Sequence, residues 1–320
     1  MQPMNNETII LHLMQTEGIG LRTLTRLLRT LTSEGRSPAG LLEATEVELK
    51  EHYRLPPNLA ARVTADLEQI DRLREELDKH DVRMIAYGAA GYPTELAATL
   101  DNQAPPVLFT RGDLSLLKRP SAAVCGARDV TPTGYDATAE IASHLAAAGI
   151  NIVSGNAVGV DRAAHTAAVS AGGVTTAVLP TGILRFPTSE LSTGEDEADR
   201  LLVISEFHPL LSWSIWAAMQ RNTSIVGLSD VVIVVEPATS GGTFEAARTA
   251  LRLERPLFVA LHGEADETSE GNRYFLQRGA WPIQFGDDAE IELDQIITTV
   301  RQRREVRTSP PDDEEAGKDD

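Results

Sequence analysis

Several stretches of the chain combine glycine with charged or hydroxyl residues in a way that suits anion binding. Gly126-Ala127-Arg128-Asp129 follows an apolar run and leads into Thr131 and Gly134. An arginine there can take a phosphate with two parallel N–H bonds, or be an ordinary surface residue of a loop. Ser154-Gly155-Asn156-Ala157-Val158-Gly159-Val160-Asp161 flanks a short loop with glycines, which would let backbone amides approach an anion closely. Asp161 and His165 stand i and i+4 on one helix face, either an acid/base pair or a structural contact in which Asp161 caps the helix and holds His165. Arg221-Asn222 offers a second guanidinium poised for phosphate. Ser240-Gly241-Gly242-Thr243 forms a third glycine-rich turn. Glu245 just beyond it either favours a helix dipole or faces a ribose, and Glu236 is a second carboxylate to consider. A dinucleotide G-x-G-x-x-G, a P-loop and a G-x-S-x-G elbow are all missing, as is any His/Asp/Glu set with metal spacing. No metal and no cofactor is expected.

These turns need elements to hold them. Short, β-branched apolar runs at 122–125, 150–154, 175–179, 202–205, 231–236 and 257–261 alternate with helical stretches at 134–148, 161–171, 213–220 and 244–253. Strands alternating with helices mean right-handed βαβ units, and apolar residues on both faces mean a parallel sheet covered on both sides. The fold class is therefore α/β: a doubly wound, mostly parallel, Rossmann-like sheet. Ligands in such sheets bind beyond the carboxyl ends of the strands, where the glycine turns fall. Upstream, residues 7–80 read as an all-helical domain with apolar positions at Ile9, Leu13, Leu24, Leu27, Leu28 and Leu31. Its Gly18-Ile19-Gly20 turn has the look of a helix-hairpin-helix, whose amides hold a DNA phosphate, or is a plain helical turn that needs glycine. Residues 81–120 bridge to the sheet with two extended segments. The expected division is 1–80, 81–300, and an acidic disordered tail at 301–320.

Of the 320 residues, 47 are acidic and 29 are Lys or Arg, for a net charge of −18. The last ten hold six acids and one lysine, so the remainder still carries −13. Indiscriminate nucleic-acid binding is argued against, although a local basic groove survives such a balance. The tail could bind a basic partner or regulate the groove. Cys125 is the lone cysteine, which excludes an intramolecular disulfide and a cysteine-rich zinc site. No apolar run spans a bilayer and the first residues lack a signal-peptide pattern, so a soluble, cytoplasmic protein without membrane association is expected.

Taken in order, these motifs resemble the DprA (Smf) family of DNA-processing proteins. Tyr92-Pro93, Pro106-Val107-Leu108-Phe109 and Arg111-Gly112-Asp113-Leu114 are similar to the family's lead-in to its sheet. Gly126-Ala127-Arg128 resembles its G-S-R opening. Ser154 to Asp161 with Ala164-His165 matches S-G-x-A-x-G-I-D-x-x-A-H. Arg221-Asn222 with Gly227-Leu228-Ser229-Asp230 looks like R-N-R-I-I-x-G-L-S, and Ser269-Glu270-Gly271-Asn272 with Gly279-Ala280 resembles the closing motif. The resemblance implies an extended Rossmann-like domain that binds single-stranded DNA, forms a homodimer and loads a RecA-type recombinase during natural transformation. It implies DNA contacts at Arg128, the Ser154–Gly159 loop and Arg221, with bases stacking on Phe186, Phe207 or Trp213 unless those rings are core. Thr223 stands where the family has its second arginine, and Val174 where a basic residue is common. No winged-helix pattern follows residue 300. Weaker or narrower DNA binding is the expectation, because each lost cation removes a phosphate contact. A second reading is a nucleotide sensor or N-glycosidase, with phage defence as a possible setting. Gly241-Gly242-Thr243-x-Glu245 partly resembles the G-G-x-G-T-x-x-E turn of nucleotide phosphoribohydrolases, with Glu245 or Glu236 as the carboxylate.

Overall fold

The computed structural model describes residues 6–55, 67–187, 199–261, 269–284 and 289–308. The chain opens with helices α1 (Asn6–Gln15), α2 (Leu21–Ser33) and α3 (Leu67–Lys79). Leu24, Leu27, Leu28 and Leu31 turn inward from α2 against Ile9 and Leu13 of α1 and Leu73 and Leu77 of α3. The helix expected around 46–51 is a single π-helical turn, Glu48–His52. Residues 57–66 of the expected helix at 57–80 lie outside the described residues.

The rest is β1 (Arg83–Ala86), α4 (Thr94–Leu100), β2 (Val107–Gly112), β3 (Ser121–Gly126), α5 (Pro132–Ala147), β4 (Asn151–Ser154), α6 (Val160–Ser170), β5 (Thr175–Val178), β6 (Leu201–Ser205), α7 (Ile215–Leu228), β7 (Val231–Val235), α8 (Gly242–Arg252), β8 (Leu257–Leu261), α9 (Glu270–Leu276), β9 (Trp281–Gln284) and α10 (Ala289–Thr308). The nine strands form one sheet in the order β1-β2-β6-β5-β4-β3-β7-β8-β9. All neighbours are parallel except where β2 meets β1 and β6. The bridge at 81–120 thus supplies two strands of the sheet itself. The chain steps from β3 to β4, β5 and β6 on one side, then returns to β7 on the other. That reversal is the switch point at which open α/β sheets leave a crevice.

Both faces are buried, as the apolar strands require. Val231, Ile233 and Val235 of β7 pack with α5, α6 and α10, while Val232 and Val234 pack with α7, α8 and α9. The helical N-terminal region shares a core with the sheet, since Val107, Phe109, Leu179, Ile183, Phe186 and Val203 join its leucines. Thr25 Oγ1 also donates to Ala104 O at 2.8 Å, tying α2 to the α/β part.

Three further elements depart from the sequence expectation. β9 was not expected: it is an edge strand that carries Pro282, where a proline costs no ladder bond on the solvent side, and only Ile283 of its four residues is buried. α10 packs a Leu293, Ile296, Ile297, Val300 stripe on the sheet core and runs on through Thr308, past the expected boundary at 300, where Arg303 donates to Glu254 O at 3.2 Å and Arg304 pairs with Glu95 at 3.1 Å. Residues 309–320 lie outside the described residues. α7 starts two residues later than expected and continues to Leu228. Ser214 caps it, its Oγ accepting from Ala217 N at 3.1 Å, which leaves Trp213 outside the helix.

Candidate functional site

The loops after β3, β4 and β7 meet at the switch point, and their glycines are there mainly to let them pack. A Cβ on Gly155 would overlap the Arg221 guanidinium, and one on Gly159 would overlap the carbonyls of Ala127 and Arg128. Gly126 is likewise closed off, by Val160 and the Val235 carbonyl. These three glycines let the loops touch one another, and Gly155 and Gly126 also line the cavities above. Gly241 differs. It has φ of +93°, faces open space and caps α8 with no side-chain bond. The first amides of α8 therefore keep no capping side chain, and Ser240 to Thr243 line the adjoining cavity. Thr243 Oγ1 donates to Gly126 O at 2.8 Å, and Asn222 Nδ2 donates to Gly242 O at 3.0 Å. Asn222 thus positions the turn from α7.

Arg221 is 4% exposed and is the keystone beneath the loops. Its Nη1 donates to Val178 O at 2.9 Å, while its Nε finds no partner. Burial lowers its pKa, and the field of Asp161 opposes that fall. Asp161 accepts from Ala157 N at 3.2 Å, and its carboxyl is raised by burial against the pull of Arg221. Ser154 Oγ donates to Val124 O at 2.6 Å, anchoring the loop to β3. Asn156 has φ of +56° and a buried Oδ1 without a partner, at the wall of the groove. The expectation of an Asp161–His165 contact fails. Thr175 Oγ1 donates to Ile152 O at 2.7 Å, so it accepts from His165 Nδ1 at 2.6 Å. Burial holds His165 neutral, its pKa down at about 3, and its Nε2 is unpartnered. His165 is a core residue one turn along α6 from Asp161 and lines neither cavity of the groove.

Above this floor lie two cavities that share Arg128, Ala157, Trp213 and Arg221. The first, about 370 Å³, is lined among the described residues by Arg128, Arg162, Arg185 and Arg221 and by no carboxylate. Arg185 is aimed by a bond from its Nε to Leu210 O at 2.6 Å. Phe186 shows one edge here although it belongs to the core. The second, about 560 Å³, has Asp129, Asp161 and Glu236 together with apolar Ile215 and Met219 and the cap of α8. Arg128 is exposed and its Cζ lies 5.9 Å from the ring centroid of Trp213, which is 51% exposed. A cation over an aromatic face at the seam can hold a phosphate and a flat ring side by side. Phe207, by contrast, is 1% exposed and packs edge-on to Trp216, so it is core.

The two carboxylates of the enzymatic reading are otherwise occupied. Glu245 faces out from α8 onto Arg248 at 3.0 Å and lines neither cavity. Glu236 has φ of +49° and binds Thr131 twice, accepting from its Oγ1 and, at 3.1 Å, from its backbone N. Thr131 in turn caps α5 through Gly134 N. Glu236 is thus a lock between the β3 and β7 loops.

Arg162 and Arg185 were missed from sequence. Arg162 sat in plain view inside the Ser154–His165 motif, one residue after Asp161. Arg185 lies on a short 3-10 turn after β5, where no periodic signal marks it. Glu206, at the end of β6, was noted without a role. It is buried, its Oε2 accepts from Ser224 Oγ, its Oε1 has no partner, and burial raises its pKa to about 7.

Among the described residues no helix is long and apolar enough to cross a membrane. A sequence profile described as "DNA recombination-mediator protein A" matches residues 83–294. The chain is 33% identical over 204 residues to the DNA processing protein DprA of Streptococcus pneumoniae, covering 63% of this chain and 71% of that one. It is 29% identical over 240 residues to the DprA of Bacillus subtilis, covering 73% and 80%. The crystal structure of the S. pneumoniae protein superposes with a TM-score of 0.71 at 25% identity, over 91% of this chain and 99% of that one. A structure of Helicobacter pylori DNA processing protein A, described for its single-stranded DNA binding mode, gives a TM-score of 0.56 at 28% identity, over 69% and 96%. By the profile match, which spans well over half of its length, this chain belongs to the DNA recombination-mediator protein A (DprA) family.

Proposed function

We propose that this protein binds single-stranded DNA in the strand-end groove. Phosphates lie in the arginine-lined cavity and bases lie against Trp213 and the apolar wall of its neighbour. The observation that carries the reading is the concentration of four arginines in one cavity, with no carboxylate among its described lining residues, in a chain whose net charge is −18. Phosphate contacts supply affinity without sequence preference, and stacking on an aromatic tolerates every base. The likeness to the H. pylori protein supports the same ligand. Arg162 and Arg185 offset the cations missing at Thr223 and Val174. Arg221 acts from below, holding the β4 loop and lending its charge.

Family membership extends the reading to a cytoplasmic homodimer that loads a RecA-type recombinase onto single strands during natural transformation. The groove serves as a binding surface and performs no bond-breaking step of its own.

Fluorescence anisotropy of labelled oligo-dT at two salt concentrations tests the ligand. Sub-micromolar binding that weakens steeply with salt and is lost in Arg128→Ala is expected. Absence of binding at low salt would end the single-strand reading. Stimulation of strand exchange by a RecA-type protein on single-strand-binding-protein-coated DNA tests the mediator step separately, and no stimulation would remove it.

A further inference from the structure

Helix α2 shows the sheet its leucines and shows solvent an arginine face. Arg22, Arg26 and Arg29 stand at i, i+4 and i+7. They form one wall of a cleft of about 850 Å³, and Arg252 from the end of α8 joins them. The remaining lining among the described residues is five hydroxyl or amide side chains, with no carboxylate and no apolar residue. Four guanidinium groups gathered in one cleft repel one another, and a chain of net charge −18 has acids to spare for neutralising them. Yet among the described residues only Arg29 is so paired, with Asp101 at 2.7 Å. Arg26 spends a donor on Tyr53 O at 3.0 Å. Arg22 and Arg252 are exposed, and neither forms an ion pair among the described residues. Arginines interleaved with hydroxyls and amides are the donor set that grips a phosphate backbone.

The cleft and the groove reach the same helix, α7, from its two flanks. A second hollow, about 270 Å³, shares Arg22, Thr23, Asn102 and Gln103 with it and ends at Trp216 and Gln220 on α7. Trp216 is 56% exposed and Ile215 is 72% exposed. Ile215 and Trp213 already line the groove on the other flank of the same helix start. α8 connects the two places: Gly242 lies in the groove and Arg252 in the cleft. Its eleven residues span roughly 16 Å, the length of about five stacked nucleotides.

We infer that the arginine face of α2, with Arg252, is a second phosphate-binding surface that takes a single strand as it leaves the groove across Trp216. The inference rests on the single-strand reading of the groove. A strand confined to the groove needs only Arg128 and its neighbours. A longer one gains the cleft.

The test is anisotropy of labelled oligo-dT of about 6 and about 25 nucleotides with the full chain, the Arg22→Ala/Arg252→Ala double variant, Trp216→Ala and Arg128→Ala. Both arginines are exposed, so an unchanged Tm is the folding control. The double variant should bind the long oligonucleotide at least about tenfold more weakly, with a salt slope lower by about 1.4, and hold the short one within about twofold. Trp216→Ala should weaken the long oligonucleotide alone. Unchanged affinity and slope on the long strand would overturn the inference, and so would an equal loss on both lengths. Should wild type bind neither oligonucleotide, or Arg128→Ala leave the short one untouched, the groove reading fails and the inference falls with it. Loss in Arg128→Ala without loss in the double variant overturns the cleft alone.

Discussion

The two cavities of the strand-end groove share a floor and a seam, yet one is lined by four arginines and the other carries three carboxylates beside an apolar wall. The difference follows from which loops supply the walls. On the arginine side the walls are the β4 loop with the start of α6 and the turn after β5, which bring Arg162 and Arg185 into the lining. On the other side the β7 loop is locked to the β3 loop by Glu236, and that lock puts a carboxylate where a phosphate would otherwise sit. A polyanion would thread its phosphates through one half and leave its less charged parts to the other. The same edge of one sheet can thus serve two chemistries, because the packing of loops rather than the sheet decides the charge.

The largest effect is expected at the shared floor. Arg221→Ala leaves Asp161 buried without its compensating charge and should cost about 3–5 kcal/mol in denaturant unfolding, with binding lost from both halves. Adding Asp161→Asn should recover part of that stability. An Arg221→Ala protein of normal stability would show that the floor does not hold the loops.

Beneath the same floor, Glu206 titrates at about 7 against an ordinary value of 4.5. A carboxyl whose folded pKa is raised binds more protons when folded. Its stability contribution is therefore greatest below 4.5 and falls as pH rises through 7. Glu206→Gln should raise stability at pH 8 by about 3 kcal/mol and change little at pH 4. His165 works in the opposite sense, since its folded pKa of about 3 lies below 6.5. Stability from its neutral form is complete above 6.5 and is lost towards 3. Between 4.5 and 6.5 the two slopes offset, so Glu206→Gln should reveal a rising stability there that wild type hides. Thermal melts from pH 4 to pH 8 check it, and parallel curves for wild type and variant would refute the assignment.

At the seam, Trp213→Ala should weaken oligo-dT binding by about 1–3 kcal/mol with the salt slope preserved, because stacking releases no counterions. A changed slope would mean that Trp213 acts through Arg128. The smallest effects separate the halves directly. Asp129→Asn should tighten binding only about twofold, and Glu245→Ala, outside the groove, should change nothing. A large loss in Glu245→Ala would reopen the nucleotide-cleaving reading.

The sheet was legible because its strands are apolar on both faces and its helices amphipathic. The edge strand β9 was not, since Trp281 and Pro282 are exposed and leave no period to read. Arg128 and the Gly241 turn were legible as groove elements because both follow strands directly. The reasons for the other glycines were not. Gly155 needs to be small on account of Arg221, which lies 66 positions away in sequence and meets it only once α7 packs on the sheet. The pairing of Asp161 was misread for a similar reason: i, i+4 spacing makes contact with His165 possible, but the β4 loop amides and Arg221 outcompete it. Ser214 before the α7 run was a readable cap that, followed through, would have put Trp213 in the groove.

The central claim is that phosphates occupy the arginine half. It is tested most directly by the salt dependence of oligo-dT affinity in wild type and in Arg162→Ala/Arg185→Ala. Loss of two single-strand phosphate contacts should lower the slope of log K against log salt by about 1.4 and weaken binding at every salt concentration. A slope identical to wild type would place the phosphates elsewhere and contradict the account.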